Sequence, residues 1–252
     1  MAQRDEIVSF LDSYMQKEKF KDYLPIGLQI EGRAEVQKVA TAVSVSVDVI
    51  QQAAEWGADL LLVHHGLFWE KSDPVLRGHH KARVRALLLN DMTLIGYHLP
   101  LDAHPEAGNN ILFARAMGFR YIEPFGDYHG TLIGWKGRFD PVPALTFAAR
   151  AEAFYGVQPT TVFYCGKTTI ETAAIVSGGA WDFITDAARE GIDCFVTGNA
   201  DEPVYHLARE EQIHFLAFGH HATERPGVQC LGDLLARKFG VETQFFDVDN
   251  PL

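Results

Sequence analysis

One arrangement occurs twice in this chain and restricts its fold more than any other feature. In AAEWGADLLLVHHG (residues 53–66) a helical stretch closes on Gly57, and an unbroken apolar run, Leu60–Val63, ends in His64-His65-Gly66. In AAREGIDCFVTGN (residues 187–199) a helical stretch closes on Gly191, and Cys194–Val196 ends in Thr197-Gly198-Asn199. Short apolar runs of this kind suit strands buried on both faces, and glycine is the common residue just past a helix end. Strands alternating with helices imply parallel sheets, and parallel sheets bind ligands at the carboxyl ends of their strands.

The surrounding segments extend the repeat. Val39–Val45, Leu60–Val63 and Thr93–Tyr97 read as strands, with helices over Val47–Trp56 and about residues 80–90. Thr172–Val176, Asp193–Val196 and Ile213–Phe218 read as a second set, with helices over Ala180–Arg189 and about residues 202–210. A helix over Asp5–Tyr14, a short strand over Leu28–Glu31, a helix over Asn109–Met117, a closing helix from about Thr223 to Phe239 and an edge strand over Glu242–Asp247 complete the pattern. The centre, Tyr121–Thr169, is different: strand-like runs at Gly130–Trp135 and Thr160–Tyr164 flank a helix over Val142–Phe154. The expected class is therefore α/β, built by internal duplication of one unit.

Composition narrows the function. The 252 residues carry 22 Lys+Arg against 33 Asp+Glu, a formal charge of −11. Such a chain lacks the broad basic face that sequence-independent nucleic-acid binding needs, which lowers that class without excluding a local basic patch. No apolar run reaches the length of a membrane span, and the charged, amphipathic start has no signal-peptide core. Three scattered cysteines argue against a disulfide framework. A cytoplasmic protein is the expectation.

The eleven histidines are clustered. His64-His65, His98, His104 and His220-His221 all follow strand ends, and imidazole is the commonest protein ligand for transition metals. Asp102 follows the strand before it through Pro100, and His220 and Glu224 are four apart at the start of the last long helix, on one face if the helix begins there. His64, His65, Asp102, His220 and Glu224 thus supply three imidazoles and two carboxylates from three turns, enough for two ions if a carboxylate bridges. His98 and His104 are read as neighbours of the ligands and as the acid/base candidates. His79-His80, beside Arg77, Lys81 and Arg83, read as a partly exposed turn, and His129, His206 and His214 as ordinary structural histidines. Phe68, Trp69 and Tyr97, next to ligand-bearing turns, are candidates for stacking on a base.

Several segments, in order, resemble the Nif-three-like dinuclear metal-centre family, known also as GTP cyclohydrolase 1 type 2. They are Tyr23-Leu-Pro-Ile-Gly-Leu-Gln-Ile-Glu-Gly32, Leu62-Val-His-His-Gly-Leu-Phe-Trp69, Tyr97-His-Leu-Pro-Leu-Asp-Ala-His-Pro105, Gly108-Asn-Asn110 and Phe218-Gly-His-His-Ala-Thr-Glu-Arg225. The resemblance implies that two metal ions (Zn, Fe, Mn or Ni) are held by the same five residues, His64, His65, Asp102, His220 and Glu224. It also implies two similar three-layer α/β/α domains with the metal site between them, and a toroidal homohexamer. The expected division is residues 1–125 with 226–252 as one domain and 126–225 as the other. The implied activity is hydrolysis of C–N bonds in a nucleotide-like heterocycle, such as ring opening of a purine nucleotide. The alternative is a non-catalytic metal-binding scaffold or interaction protein. One position departs from the family: an acidic residue commonly follows the Thr-Gly turn where this chain has Asn199, and Asp201 or Glu202 are the nearby carboxylates that could substitute.

Overall fold

The computed structural model describes residues 2–252, which form two compact units. The first comprises the chain through Leu101 together with Gly227–Asp249, and the second comprises Asp102–Pro226 with Asn250–Leu252. In chain order the elements are β1 (Ala2–Gln3), α1 (Arg4–Tyr14), β2 (Gly27–Ile30), β3 (Glu35–Val36), β4 (Lys38–Ser44), α2 (Val47–Trp56), β5 (Leu60–His65), α3 (Gly78–Leu89), β6 (Thr93–Gly96), α4 (Leu99–Asp102), α5 (Asn109–Ala116), β7 (Arg120–Tyr128) and β8 (Thr131–Pro143). They continue as α6 (Ala144–Tyr155), β9 (Thr161–Phe163), β10 (Thr169–Ile175), α7 (Ile184–Arg189), β11 (Cys194–Thr197), α8 (Val204–Glu210), β12 (His214–Ala217), α9 (His220–Thr223), α10 (Arg225–Phe239) and β13 (Glu242–Phe245).

The first unit is built on a five-stranded sheet of order β13-β4-β5-β6-β2, parallel except for β2, which runs antiparallel to β6. Val39 to Val43 of β4 and Leu60 to Val63 of β5 are buried without interruption, as a sheet covered on both faces requires. Ala40, Ala42, Leu61 and Val63 pack with Val49, Ile50 and Ala53 of α2 and Leu87 of α3. Gly232 of α10 lies against Thr41 of β4, where a Cβ would meet Thr41 Cγ2 at 3.1 Å, so the helix is seated closely on that strand. Ser46 caps α2 by accepting the amide of Val49, and Gly57 ends it at φ 84°.

The second unit carries a six-stranded sheet of order β7-β8-β10-β11-β12-β9. Strands β10, β11 and β12 are parallel and β9 is antiparallel to β12. An antiparallel strand followed in the chain by three parallel ones, with the first beside the last, is also the arrangement of β2, β4, β5 and β6. The two units thus share this four-strand order. The hairpin of β7 and β8 turns at His129-Gly130, both at positive φ (52° and 86°), as a two-residue hairpin turn demands. No helix among the described residues is long and apolar enough to cross a membrane.

The unit boundaries correct the expected ones. Residues 102–125 were assigned by sequence to the first domain, but Phe113, Ala114, Met117 and Phe119 belong to the core that includes Phe139, Phe147, Tyr155 and Ile175. Helix α5 thus covers the second sheet, and β7 pairs with β8 along most of its length. The tail, Asn250–Leu252, also belongs to the second unit, where the His221 amide donates to the Leu252 carbonyl (3.0 Å). Strand β7 was not foreseen because Glu123-Pro124 breaks its pattern, and proline is tolerated there only because β7 is an edge.

Phe113 is fully buried and stacks on Tyr155 with ring centroids 5.3 Å apart. Phe113→Ala is expected to lower stability by about 3–5 kcal/mol in urea denaturation; a loss under about 1 kcal/mol would show that α5 is peripheral to this core.

Candidate metal centre

Strand β5 delivers His64 and His65 as its last two residues. The strand pairs with β4 through His65 opposite Ser44, and the His65 carbonyl accepts the Val45 amide (3.0 Å). Sheet pairing therefore extends through both histidines, whereas the sequence placed them in the turn. Their ring centroids are 4.7 Å apart. His64 is wholly buried, and its Nδ1 lies 2.9 Å from the Tyr97 carbonyl. A carbonyl only accepts, so Nδ1 carries a proton, and in the neutral ring the lone pair then belongs to Nε2. His65 Nδ1 is 2.9 Å from Ser44 Oγ.

The glycine after this pair has a different purpose from the one its position suggests. Gly66 is not among the residues at positive φ. It leaves room for Gln29: a Cβ on Gly66 would sit 2.1 Å from Gln29 Nε2, and one on Gly96 would sit 2.7 Å from it. Gln29 Oε1 accepts the Leu67 amide (2.8 Å) and its Nε2 donates to the Pro25 carbonyl (3.0 Å). One side chain from β2 thus pins the histidine turn.

His98 follows β6. Its Nδ1 donates to Asp22 Oδ1 (3.0 Å), and Asp22 also accepts the amides of Leu99 (2.9 Å) and Tyr23 (2.8 Å). The Asp22 side chain is fully buried, and Tyr23 Oη lies 3.4 Å from His98 Nε2. Tyr97, expected to be a stacking candidate, is fully buried; its hydroxyl donates to Asp12 Oδ1 (2.7 Å). Burial, reinforced by Asp12, pushes that phenol far above its ordinary range. Trp69 lies against the histidines, with its ring centroid 5.7 Å from His65, 5.6 Å from His98 and 5.5 Å from Tyr23, whose own ring is 5.0 Å from His98. Phe68 packs on His80 instead (5.5 Å).

In the second unit, Asp102 ends the short helix α4 and is buried. Its Oδ1 accepts Asn109 Nδ2 (2.9 Å) and Ser177 Oγ (3.1 Å). Asn110 accepts the Ser177 amide (2.7 Å) and donates to the Ile133 carbonyl (2.8 Å), which secures the loop that supplies Ser177. His220 begins α9 and Glu224 closes it, with Nε2 and Oε1 3.2 Å apart. Gly178, at φ +70°, faces them: a Cβ there would lie 2.4 Å from Glu224 Oε1 and 3.2 Å from His220 Nε2. The Gly178 amide donates to Thr223 Oγ1 (3.0 Å), tying that bed to α9.

Ligand atoms within 4.8 Å of one another occur in three overlapping groups: His64, His65 and His98; His65, His220 and Glu224; and His64, Asp102 and Glu224. Imidazole mixed with carboxylate suits divalent zinc, manganese, iron or nickel, so these residues fit a metal site. All five ligands expected from the sequence belong to these groups, and His98 joins them. His104 does not: its Nδ1 accepts the amides of Glu106 (3.2 Å) and Ala107 (3.1 Å), capping its own turn. Asn199 follows β11 by two residues, and its Oδ1 is buried without a hydrogen-bond partner among the described residues. Asp201 and Glu202 are both exposed. Sequence reasoning missed Asp22, Tyr23, Ser44 and Ser177, and of these only Tyr23, first residue of a quoted motif, carried any signal.

Gly66→Ala should cost about 1–3 kcal/mol, because the new methyl meets the Gln29 amide in a packed site. Adding Gln29→Ala should recover part of that loss in a double-mutant cycle read by denaturation. Strictly additive losses would show that Gly66 is not reserved for Gln29.

Comparison with known proteins finds relatives over the whole chain. Residues 2–251 match the family Duf34/NIF3 (NGG1p interacting factor 3). The "GTP cyclohydrolase 1 type 2 homolog" of Escherichia coli K12 is 40% identical over 252 residues, covering 98% of each chain. The protein of the same name from Haemophilus influenzae is 38% identical over 246 residues, again 98% of each. Among solved structures, TTHA1606 from Thermus thermophilus superposes with a TM-score of 0.92 at 36% identity over the whole of both chains. A structural-genomics protein, ybgI, described as of unknown function, does so with a TM-score of 0.92 at 39% identity, also over both whole chains. The chain belongs to the Duf34/NIF3 family.

Proposed function

We propose that His64, His65, Asp102, His220 and Glu224 hold a pair of divalent metal ions, and that the chain is a metal-dependent hydrolase of C–N bonds in a nucleotide-like heterocycle. The observation that carries this reading is the overlap of the ligand groups. Glu224 belongs to both groups that contain a carboxylate, as a bridging ligand would, and His64 and His65 are each shared by two groups.

When bound, such a pair acidifies water and polarises the bond under attack. The protein's own groups prepare for that. Asn109 and Ser177 engage one oxygen of Asp102 and so fix the direction of its carboxylate. The Tyr97 carbonyl presents His64 in one tautomer. His64, Asp102 and Glu224 are buried, which excludes bulk water from around the charges. Trp69 and Tyr23, 5.5 Å apart, offer aromatic faces to a planar substrate beside His65 and His98. Of the two histidines proposed for proton transfer, His104 has its Nδ1 committed to two amides, so any transfer there runs through Nε2.

The relatives' names support ring opening of a purine nucleotide as the reaction. A toroidal homohexamer and a cytoplasmic location belong to the same proposal.

Protein purified without a histidine tag should contain about two ions per chain, and Asp102→Ala should contain markedly less. Loaded with manganese or zinc and incubated with GTP, the wild type should release formate. Glu224→Ala should lower that rate by more than about 100-fold, the upper end of what losing an outer partner costs. Formate release that survives Glu224→Ala would sink the assignment. Two ions without turnover of any nucleotide would favour the metal-binding scaffold instead.

A further inference from the structure

The five-residue ligand set leaves one buried imidazole of the cluster outside it. His98 shares a group with His64 and His65 whose ligand atoms all lie within 4.8 Å of one another, and it is 6% exposed. Its ring centroid is 4.9 Å from His64 and 5.5 Å from His65.

The three rings share one further property: the Nδ1 of each is engaged by a group of the same unit. His64 Nδ1 is held by the Tyr97 carbonyl (2.9 Å), His65 Nδ1 by Ser44 Oγ (2.9 Å) and His98 Nδ1 by Asp22 Oδ1 (3.0 Å). In each case the remaining nitrogen is Nε2. A backbone carbonyl, a hydroxyl and a buried carboxylate are the kinds of outer partner that metal-binding histidines carry, and the aspartate–histidine pair is the most characteristic of them. Asp22 is itself immobilised by the amides of Tyr23 and Leu99, and its side chain has no solvent exposure. These two amides and the His98 Nδ1–H offset the burial of the Asp22 carboxylate and hold the imidazole in one orientation.

We propose that His98 is a direct ligand of the metal pair, completing a three-imidazole set with His64 and His65, and that Asp22 is its positioning residue. This replaces the proton-transfer role that the sequence assigned to His98, and it rests on the metal-centre reading above. The cation class is a borderline divalent ion such as zinc or cobalt, for which clustered imidazole is the preferred donor. Tyr23 Oη is the other group near His98 Nε2, at 3.4 Å. That distance marks a weak hydrogen bond, so the nitrogen is only lightly held by it. A planar ligand against Tyr23 and Trp69 would then lie beside a metal-bearing His98.

The test uses the full chain loaded with cobalt(II), whose ligating imidazoles give shifted, exchangeable ring N–H resonances. Ligation by His64, His65, His98 and His220 should give four such resonances, and His98→Ala should lose one of them. The same substitution should weaken the binding of one ion by at least about tenfold in competition with a chelating dye, with the visible cobalt band shifted. Asp22→Asn leaves every imidazole in place and should weaken the same ion to a smaller degree. His129→Ala, in the hairpin turn, should change neither. Because the count is made on the wild type, the result does not depend on either variant folding. Three resonances with two ions bound, or wild-type affinity and spectrum in His98→Ala, would overturn this proposal alone. A wild type that takes up no cobalt would overturn the metal reading and this one with it.

Discussion

A buried imidazole has two ring nitrogens to place, and in His64 the backbone settles the first. Its Nδ1–H reaches the Tyr97 carbonyl at 2.9 Å, which leaves Nε2 as the nitrogen a neutral ring turns toward a cation. The Tyr97 carbonyl can serve because the residue around it is held. Its amide donates to the Val63 carbonyl (3.1 Å), and its buried hydroxyl donates to Asp12, which is also paired with Lys17. The tautomer of one histidine is thus set by the sheet, by the residue after its neighbouring strand and by a carboxylate from α1. Asp22 does the same for His98 with a carboxylate that can only accept, while Ser44 Oγ holds the direction of the His65 ring.

The carboxylates show the complementary constraint. Asp102 and Glu224 are 6% and 3% exposed. Removing a carboxylate from water costs several kcal/mol unless donors or cations replace the hydration. Asp102 has two donors on a single oxygen, and Glu224 has His220 beside it. A cation is the natural complement to two buried carboxylates among imidazoles. The glycines follow from the same crowding. Gly178 leaves space at Glu224 and Gly66 leaves space for Gln29, so each is small because something else must come close.

Much of this was visible in the sequence, for reasons that can be named. Helix α2 spans the expected Val47–Trp56, because an apolar face, a serine cap and a closing glycine are all local signals. The ligand candidates stood out because the apolar runs of β5 and β12 lead into histidine. What failed was non-local. The boundary near residue 125 was misplaced because only packing shows that α5 belongs with Phe139, Phe147 and Ile175. Gly66 stands where a turn glycine would, and nothing nearby in sequence points to Gln29. Asp22 and His98 are 76 residues apart, and no spacing rule joins them. The quoted motif that begins at Tyr23 therefore stood as a mark of resemblance, while in the structure its tyrosine lies beside His98 and its glutamine holds the segment that follows His64-His65.

Membership of the Duf34/NIF3 family joins this chain to relatives named for a cyclohydrolase and to a solved structure described as of unknown function. Everything functional here depends on whether a cation pair occupies the His/Asp/Glu cluster. Anomalous diffraction from crystals grown with zinc or manganese, collected on both sides of the metal edge, answers that directly. Two peaks about 3.5–4 Å apart, in contact with His64, His65, Asp102, His220 and Glu224, are the expected result. A single peak elsewhere on the surface, or no peak at saturating metal, would contradict it.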